Sequence, residues 1–200
     1  MDPRQQRSRE QLHAAVLDLA AARSISEVSV TEIATAAGIH RSTFYEHAAS
    51  AFDLLEQALT AELDQLRAPL ADVRADEIRA VVTVVTRGVL HHVLRHREIY
   101  RRGLGEGSGA ASLHPMLSRH FRESGRVLFD QARLTVRVPG VAGTVVADAA
   151  GRFLAEGTVG QISGWLEGPE PDVGRFLKVY LALLPDWWPA DARTSDGIGV

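Results

Sequence analysis

The stretch Ser29-Val-Thr-Glu-Ile-Ala-Thr-Ala-Ala-Gly-Ile-His-Arg-Ser-Thr-Phe-Tyr-Glu-His47 contains signals for two short helices with a turn between them. Ser29 and Glu32 have capping-box spacing, in which the serine side chain caps a helix and the glutamate reaches back to the serine N–H. Gly38 follows the apolar positions of this helix, and glycine readily adopts the positive φ at which helices commonly end. A second helix is predicted from about His40 to His47. Two short helices joined by a glycine-containing turn form a helix-turn-helix.

The second helix of this unit carries side chains that suit DNA. In a helix-turn-helix, the second helix enters the major groove with its N-terminal residues facing the base edges. Arg41 can make a bidentate contact to guanine, and Ser42 and Thr43 can hydrogen-bond to several bases. Tyr45 and His47 have donors that suit phosphate oxygens. The predicted DNA-binding residues are Ser29, Thr31, His40, Arg41, Ser42, Thr43, Tyr45 and His47.

The overall charge gives little general attraction for nucleic acid. The chain has 22 Lys and Arg against 25 Asp and Glu, which is a formal net charge of −3. Any DNA affinity must therefore come from a local surface. Arg4, Arg7 and Arg9 precede the helix-turn-helix and are expected to form a short basic arm.

The same stretch resembles the DNA-binding motif of the tetracycline-repressor (TetR) family. That family has an Ile-Ala-x-x-Ala-Gly-Val turn followed by Thr-x-Tyr-x-His-Phe, and the corresponding residues here are 33–39 and 43–48. The resemblance covers about residues 8–56. It implies an all-α protein with an N-terminal helix-turn-helix and a C-terminal domain that binds a ligand and dimerises. A helical hairpin without a DNA-binding role is the alternative.

Three positions depart from the family pattern. His40 stands where the family usually has serine, Ala48 stands in place of phenylalanine, and Ala51 replaces the lysine of a Ser-Lys-x-x-Leu motif. Histidine is a poorer N-cap than serine. Loss of the lysine removes one expected phosphate contact, which predicts a shallower salt dependence of DNA binding.

Helical periodicity continues through the rest of the chain. Apolar residues recur at spacings of three and four in several segments, as they do from Val173 to Leu184. We therefore expect about nine helices. The predicted organisation is a helix-turn-helix DNA-binding domain at 1–51, a helical effector-binding and dimerisation domain at 52–189, and a disordered tail at 190–200.

Composition excludes several other classes of protein. There are no cysteines, which rules out disulfides, thiolate zinc sites and cysteine nucleophiles. No apolar run approaches the roughly 20 residues of a membrane-spanning helix. The polar N-terminus has no secretory signal, so a cytoplasmic protein without membrane association is expected. No cofactor is expected, and no activated nucleophile or phosphate-binding loop indicates an enzyme.

One predicted helix, from about Asp76 to His96, carries a candidate ligand site. Val85, Val89, His92 and His96 fall on one helical face, so two imidazoles share an apolar stripe. The i, i+4 spacing of the histidines could also bring two nitrogens to one metal ion. No cysteine or carboxylate partner stands at metal-ligand spacing, so no metal site is predicted, and metal binding by the histidines is left open. Histidines hydrogen-bonded at the edge of the core are the alternative. The predicted ligand-binding residues are Val85, Val89, His92, His96, Tyr100, His120 and Phe121.

The predicted helix from about Val141 to Glu167 contains five glycines. Each glycine weakens an isolated helix by roughly 1 kcal/mol, so their presence indicates close approach of another helix, at an interface or around a cavity. With the following helix, this segment resembles the dimerisation pair of the TetR family, which forms a four-helix bundle. Phe176 and Tyr180 are expected to be exposed in the monomer. A buried intramolecular helix is the alternative. The predicted interface residues are Phe153, Ile162, Trp165, Phe176 and Tyr180.

The resemblance implies a homodimeric transcriptional regulator, and by family habit a repressor. Its two recognition helices would enter successive major grooves of a pseudo-palindromic operator, about 34–36 Å apart. A small-molecule effector would release the DNA. The alternatives are a helical small-molecule-binding protein or enzyme with a vestigial helix-turn-helix, and a regulator controlled by a protein partner.

Overall fold

The computed structural model describes residues 3–74, 76–130 and 136–185. Across these residues the regular structure is entirely helical, with nine α-helices and three short 3₁₀ helices. The α-helices are α1 Pro3–Ala22, α2 Val30–Ala37, α3 Arg41–His47, α4 Ala51–Arg67, α5 Ile78–Arg95, α6 Arg97–Leu104, α7 His114–Asp130, α8 Gly143–Glu167 and α9 Val173–Leu183. The all-α prediction is confirmed. The tail predicted at 190–200 lies outside the described residues. Among the described helices, none is both long and apolar enough to cross a membrane.

The described residues form two compact units, and neither unit is one continuous segment. The first unit comprises those of Met1–Leu63 and His92–Met116, and the second comprises those of Asp64–His91 and Leu117–Val200. Helices α4, α5 and α7 therefore contribute residues to both units. The functional division predicted at residue 51 stays a prediction.

The core of the first unit joins α1, α2 and α3. Leu12, Val16, Ile33 and Phe44 have no exposed surface. Helix α1 packs against α2, α3 and α6. The guanidinium of Arg102 in α6 donates hydrogen bonds to backbone carbonyls of the last turn of α1, and these oxygens have no partner within their own helix.

The N-terminal arginines belong to the first helix rather than to a separate arm. Helix α1 begins at Pro3 and already contains Arg4, Arg7 and Arg9. Proline suits a first helical position because its fixed φ matches the helix and its missing N–H would have no partner there. The expectation of a basic arm is therefore wrong.

Helix α6 and Leu113 approach each other closely at Gly103. A Cβ on Gly103 would lie 2.5 Å from Leu113 Cδ1 and 2.6 Å from its Cγ. Leu113 is only 1% exposed, so its side chain has little room to move.

We expect Gly103→Ala to lower the free energy of unfolding by about 1–3 kcal/mol, because the added methyl group overpacks this contact. Chemical denaturation measures the change. Gly107→Ala is the matched control, since a Cβ at Gly107 would have no described neighbour within 4 Å. Equal stability of the two variants would contradict the close packing.

The core of the second unit is built from α5, α7, α8 and the segment that follows α4. A buried apolar cluster comprises Leu70, Val73, Ile78, Val82, Val85 and Leu128. Arg67 pairs with Asp64 and Glu123, each at 2.6 Å. Helices α7 and α8 come close at two glycines, where a Cβ on Gly125 would lie 3.9 Å from Gly151 Cα.

The aromatic residues of α9 pack within their own unit, contrary to expectation. Phe176 is 4% exposed, and Tyr180 is partly buried. The ring of Phe176 meets the edge of Trp165 on α8 at 5.3 Å and stacks on Tyr180 at 6.0 Å. Ile162 is also buried, at 1% exposed. The predicted exposure of Phe176 and Tyr180 is therefore wrong, because α8 of the same chain covers the apolar face of α9.

The glycines of α8 lie in two different environments, one buried and one exposed. Gly151 is buried near α7, whereas Gly157, Gly160 and Gly164 are exposed, and a Cβ on any of these three meets nothing within 4 Å in the part of the chain that the structure describes. Phe153 is 72% exposed and lies one turn before Gly157. These four exposed residues recur at i, i+4, i+7 and i+11, so they share one face, which we call the glycine face of α8.

Candidate DNA-binding surface and ligand sites

The start of α2 is fixed by a complete capping box. The Ser29 Oγ accepts a hydrogen bond from the Glu32 N–H at 3.2 Å, and the Ser29 N–H donates to Glu32 Oε2 at 2.9 Å. Arg23 pairs with the same carboxylate. The Ser29 N–H and the Arg23 guanidinium hold the pKa of Glu32 at about 2, so the cap persists far below neutral pH.

The turn between α2 and α3 depends on one left-handed residue. Gly38 has φ 66°, and its N–H donates to the Thr35 carbonyl at 3.1 Å. The next N–H, of Ile39, donates to the Ala34 carbonyl at 3.0 Å, which completes a Schellman ending. The predicted glycine turn is confirmed, and it allows α3 to begin only four residues after α2 ends.

His40 caps α3, although histidine is an uncommon choice for this position. Its Nδ1 accepts from the Ser42 N–H at 3.3 Å and lies 2.8 Å from Ser42 Oγ. An unprotonated Nδ1 can accept from both donors. His40 therefore orders the first turn of α3, a role that residue preferences alone did not predict.

The exposed side of α3 presents a cation, hydroxyls and a phenol. Arg41, Ser42 and Tyr45 are exposed, Thr43 is half-buried, and Phe44 anchors the helix in the core. The Arg41 guanidinium donates to the Tyr45 hydroxyl at 3.1 Å and lies 5.6 Å from the centre of its ring. The pair aligns both side chains along the helix without burying either.

The predicted DNA-binding residues outside the exposed side of α3 differ in their exposure to solvent. Ser29 and Thr31 are exposed at the start of α2. His47 is half-buried, and its Nε2 is enclosed without a hydrogen-bond partner among the described residues. A phosphate contact by His47 would therefore have to use Nδ1.

The seven predicted ligand-binding residues fall into two separate groups. Four of them, Val85, Val89, His120 and Phe121, line a cavity of about 50 Å³ in the second unit. The other three lie in the first unit.

The cavity has apolar walls with a few polar groups. Those groups come from Thr86, Ser124, Thr158 and Tyr180, besides His120. The Tyr180 and Thr158 hydroxyls lie 3.4 Å apart, and burial raises the pKa of Tyr180, so its hydroxyl stays neutral. Such a lining suits a small, mainly apolar ligand with one or two polar atoms.

A larger groove of about 700 Å³ lies along α7 and α8 in the second unit. Arginines dominate its polar lining, and two of them pair with acids on their own helices, Arg126 with Asp130 at 3.1 Å and Arg152 with Asp148 at 3.0 Å. Sequence reasoning missed this groove because arginines at helical spacing look like an ordinary solvated face. The arginines that line it are Arg119, Arg122, Arg126, Arg137 and Arg152.

Of the remaining three residues, His92 and His96 contact Glu62, and Tyr100 contacts His92. We call these four side chains the Glu62 cluster: Glu62, His92, His96 and Tyr100. Glu62 Oε2 lies 3.1 Å from His92 Nδ1 and 3.0 Å from His96 Nε2. His92 Nε2 lies 2.8 Å from the Tyr100 hydroxyl. The sequence search missed Glu62, which stands 30 positions before His92. A usable signal existed, because this carboxylate falls on the apolar stripe of α4, three and seven positions after the buried Leu59 and Leu55.

Burial and hydrogen bonding set the charge states of this cluster. Burial lowers the pKa of His92 to about 4, so its imidazole is neutral at neutral pH. Burial opposes ionisation of Glu62, but hydrogen bonds from His96 and His92 outweigh it and lower the carboxyl pKa. Burial also raises the pKa of Tyr100, which therefore keeps its proton.

Comparison with known proteins identifies the fold. The sequence matches no protein-family model and no curated protein sequence. Solved structures match along most of the chain. The dihydroxyacetone kinase operon activator DhaS has 14% identity and a TM-score of 0.62, covering 88% of this chain and 94% of its own.

Two further structures carry the name of one family. A TetR-family transcriptional regulator from Streptomyces coelicolor has 24% identity and a TM-score of 0.58, covering 90% of this chain and 79% of its own. FadR of Thermus thermophilus, a TetR-family transcriptional repressor in complex with lauroyl-CoA, has 22% identity and a TM-score of 0.62, covering 96% of this chain and 100% of its own. The chain therefore has the fold of the TetR-family transcriptional regulators.

Proposed function

We propose that this protein is a dimeric transcriptional regulator that binds a pseudo-palindromic operator through α3. The observation that carries the proposal is the exposed row of Arg41, Ser42 and Tyr45 on α3. His40 caps the N-terminus of this helix, and Phe44 anchors its opposite side in the core. A rigid helix with exposed donors at its N-terminal end suits the major groove.

The glycine face of α8 supports the dimeric part of the proposal. Small residues allow two helices to approach closely, and here they leave an exposed strip that no described residue covers within 4 Å of the added Cβ atoms. On α9, Val179 and Leu183 are 46% and 71% exposed, one turn apart. We propose that the glycine face, which includes Phe153, and this pair contact a second copy of the chain, whereas Ile162 and Phe176 support the interface from within.

A small-molecule effector would act on DNA binding by thermodynamic linkage. The cavity of about 50 Å³ is far below the roughly 300–1,000 Å³ of typical ligand pockets, so an effector of ordinary size would have to enlarge it. The FadR neighbour was solved with lauroyl-CoA. If the effector weakens operator binding by some factor, the operator must weaken effector binding by the same factor.

The direction of regulation proposed is repression. The named neighbours include both a repressor, FadR, and an activator, DhaS. Repression requires only that the dimer occupy DNA needed by the transcription machinery, whereas activation needs an additional contact.

Selection from random duplex DNA tests the proposal. The full chain is incubated with the pool at moderate salt, and the bound fraction is sequenced. We expect a two-fold symmetric motif with half-sites centred one helical turn apart, about 34–36 Å. Recovery of no motif by a folded, dimeric protein would contradict the proposal and would favour a helical ligand-binding protein with a vestigial helix-turn-helix.

A further inference from the structure

We propose that Glu62, His92 and His96 form a binding site for one divalent transition-metal ion. The site differs from the cavity of the second unit, and its existence does not depend on DNA binding. It takes the three residues whose donor atoms converge in the Glu62 cluster.

The geometry of the donor atoms carries the proposal. One carboxylate oxygen of Glu62 lies 3.1 Å from His92 Nδ1 and 3.0 Å from His96 Nε2, and the donor atoms all lie within 4.8 Å of one another. Ligands at about 2.1 Å around a tetrahedral ion stand roughly 3.4 Å apart. Small side-chain rotations would therefore open the three donors around an ion, without movement of the helices.

His92 has a hydrogen-bond partner on its second ring nitrogen, as metal-binding histidines usually have. Its second nitrogen, Nε2, lies 2.8 Å from the Tyr100 hydroxyl, and the two rings pack edge to face at 5.6 Å. His92 is 2% exposed, and Tyr100 is fully buried. With Nδ1 on the ion, Nε2–H would donate to the Tyr100 oxygen, and such an outer partner fixes both the tautomer and the ring.

The donor set selects the class of ion. Two imidazole nitrogens and one carboxylate suit Zn²⁺, Co²⁺, Ni²⁺ and Cu²⁺, whereas Mg²⁺ and Ca²⁺ prefer oxygen ligands. The side chain of Glu62 is 32% exposed, which leaves room for water as a further ligand. Arg95 lies 3.6 Å from the same Glu62 oxygen, but its side chain is 69% exposed and can turn toward solvent.

A bound ion would connect helices that are distant in sequence. Glu62 belongs to α4, His92 to the last turn of α5, and His96 to the position just before α6. All three lie in the first unit, which also contains α3. The ion would therefore stabilise the unit that carries the candidate DNA-binding helix, since a ligand that binds only the folded state raises its stability.

Metal titration of the chelator-treated full chain tests this site without DNA. Zn²⁺ binding is measured by calorimetry, and Co²⁺ binding by its visible d–d absorption. We expect one ion per chain, a Co²⁺ spectrum of tetrahedral nitrogen–oxygen coordination, and a higher melting temperature with Zn²⁺. Glu62→Gln and His96→Gln each remove a ligand at a partly exposed position and should weaken binding more than about 100-fold. Tyr100→Phe removes only the outer partner and should weaken it roughly 10–100-fold.

His91→Gln is the matched control, because His91 is an exposed histidine beside His92 on the same helix. It should bind both ions as the unchanged chain does. Equally weak binding by the unchanged chain and a folded Glu62→Gln variant would overturn the proposal and leave the cluster as a hydrogen-bonded group. That result would leave the proposed DNA binding unaffected, because the selection experiment tests it separately.

Discussion

Arg41→Ala is expected to lower the affinity for the selected operator by about 30-fold to 10⁴-fold. One bidentate arginine–guanine contact contributes about 1–3 kcal/mol of discrimination, and a dimer makes the contact twice. Arg41 is exposed, and its partner in the free protein is the exposed Tyr45. The free energy of unfolding should therefore change by no more than about 0.5 kcal/mol.

The measurement compares two duplexes by fluorescence anisotropy at fixed salt. The first is the selected operator, and the second has the guanine of each half-site replaced. The variant should lose its preference between them. Arg101→Ala is the matched control, because Arg101 is also an exposed arginine paired within its own helix, here with Glu98. An equal loss of affinity for both duplexes would show that Arg41 contacts phosphate only.

Gly160→Arg is expected to dissociate the proposed dimer while leaving the monomer folded. A Cβ added at Gly160 meets no atom of the described residues within 4 Å, so we expect the monomer to accommodate a side chain there. In a helix interior, arginine is also more favourable than glycine by roughly 0.5–1 kcal/mol of helix propensity. In the proposed dimer the same side chain would wedge two closely packed helices apart and bury an unpaired charge.

We expect the dimer dissociation constant to rise by more than about 100-fold, which corresponds to about 2.7 kcal/mol. Sedimentation equilibrium over a range of protein concentrations measures the constant, and circular dichroism checks the fold. Operator affinity should fall with dimerisation, because one subunit contacts only one half-site. Gly107→Arg is the control, since Gly107 is exposed and a Cβ added there also lies more than 4 Å from every described neighbour. Unchanged dimerisation of Gly160→Arg would exclude the glycine face of α8 as the interface.

Local sequence signals were sufficient for the helix-turn-helix. A capping box involves residues three positions apart, and a Schellman ending involves hydrogen bonds over five positions. Ser29, Glu32 and Gly38 therefore specify where α2 begins and ends, whatever the rest of the chain does. The His40 cap is equally local, but the preferences for capping residues rank histidine low, so the prediction undervalued it.

Periodicity identified helices and apolar faces, but it could not say what covers each face. The stripe that includes Phe176 and Tyr180 is apolar, as its spacing predicts, but its expected exposure in the monomer is wrong. Contact of these residues with a second subunit stays a prediction. Cover by another helix of the same chain and cover by a second subunit would both remove this apolar area from water. The sequence alone therefore does not distinguish them. In the structure α8 covers Phe176, since Trp165 of α8 packs against this ring within the same chain.

The sequence by itself determined the all-α class and the helix-turn-helix, because helix ends and helical periodicity depend on residues within a few positions of one another. Only the tertiary structure decided that His92 and His96 meet Glu62, while Val85 and Val89 line a cavity with His120. These groupings join side chains tens of residues apart. They follow from how whole helices pack, and that depends on the shape and volume of many side chains together rather than on any local pattern.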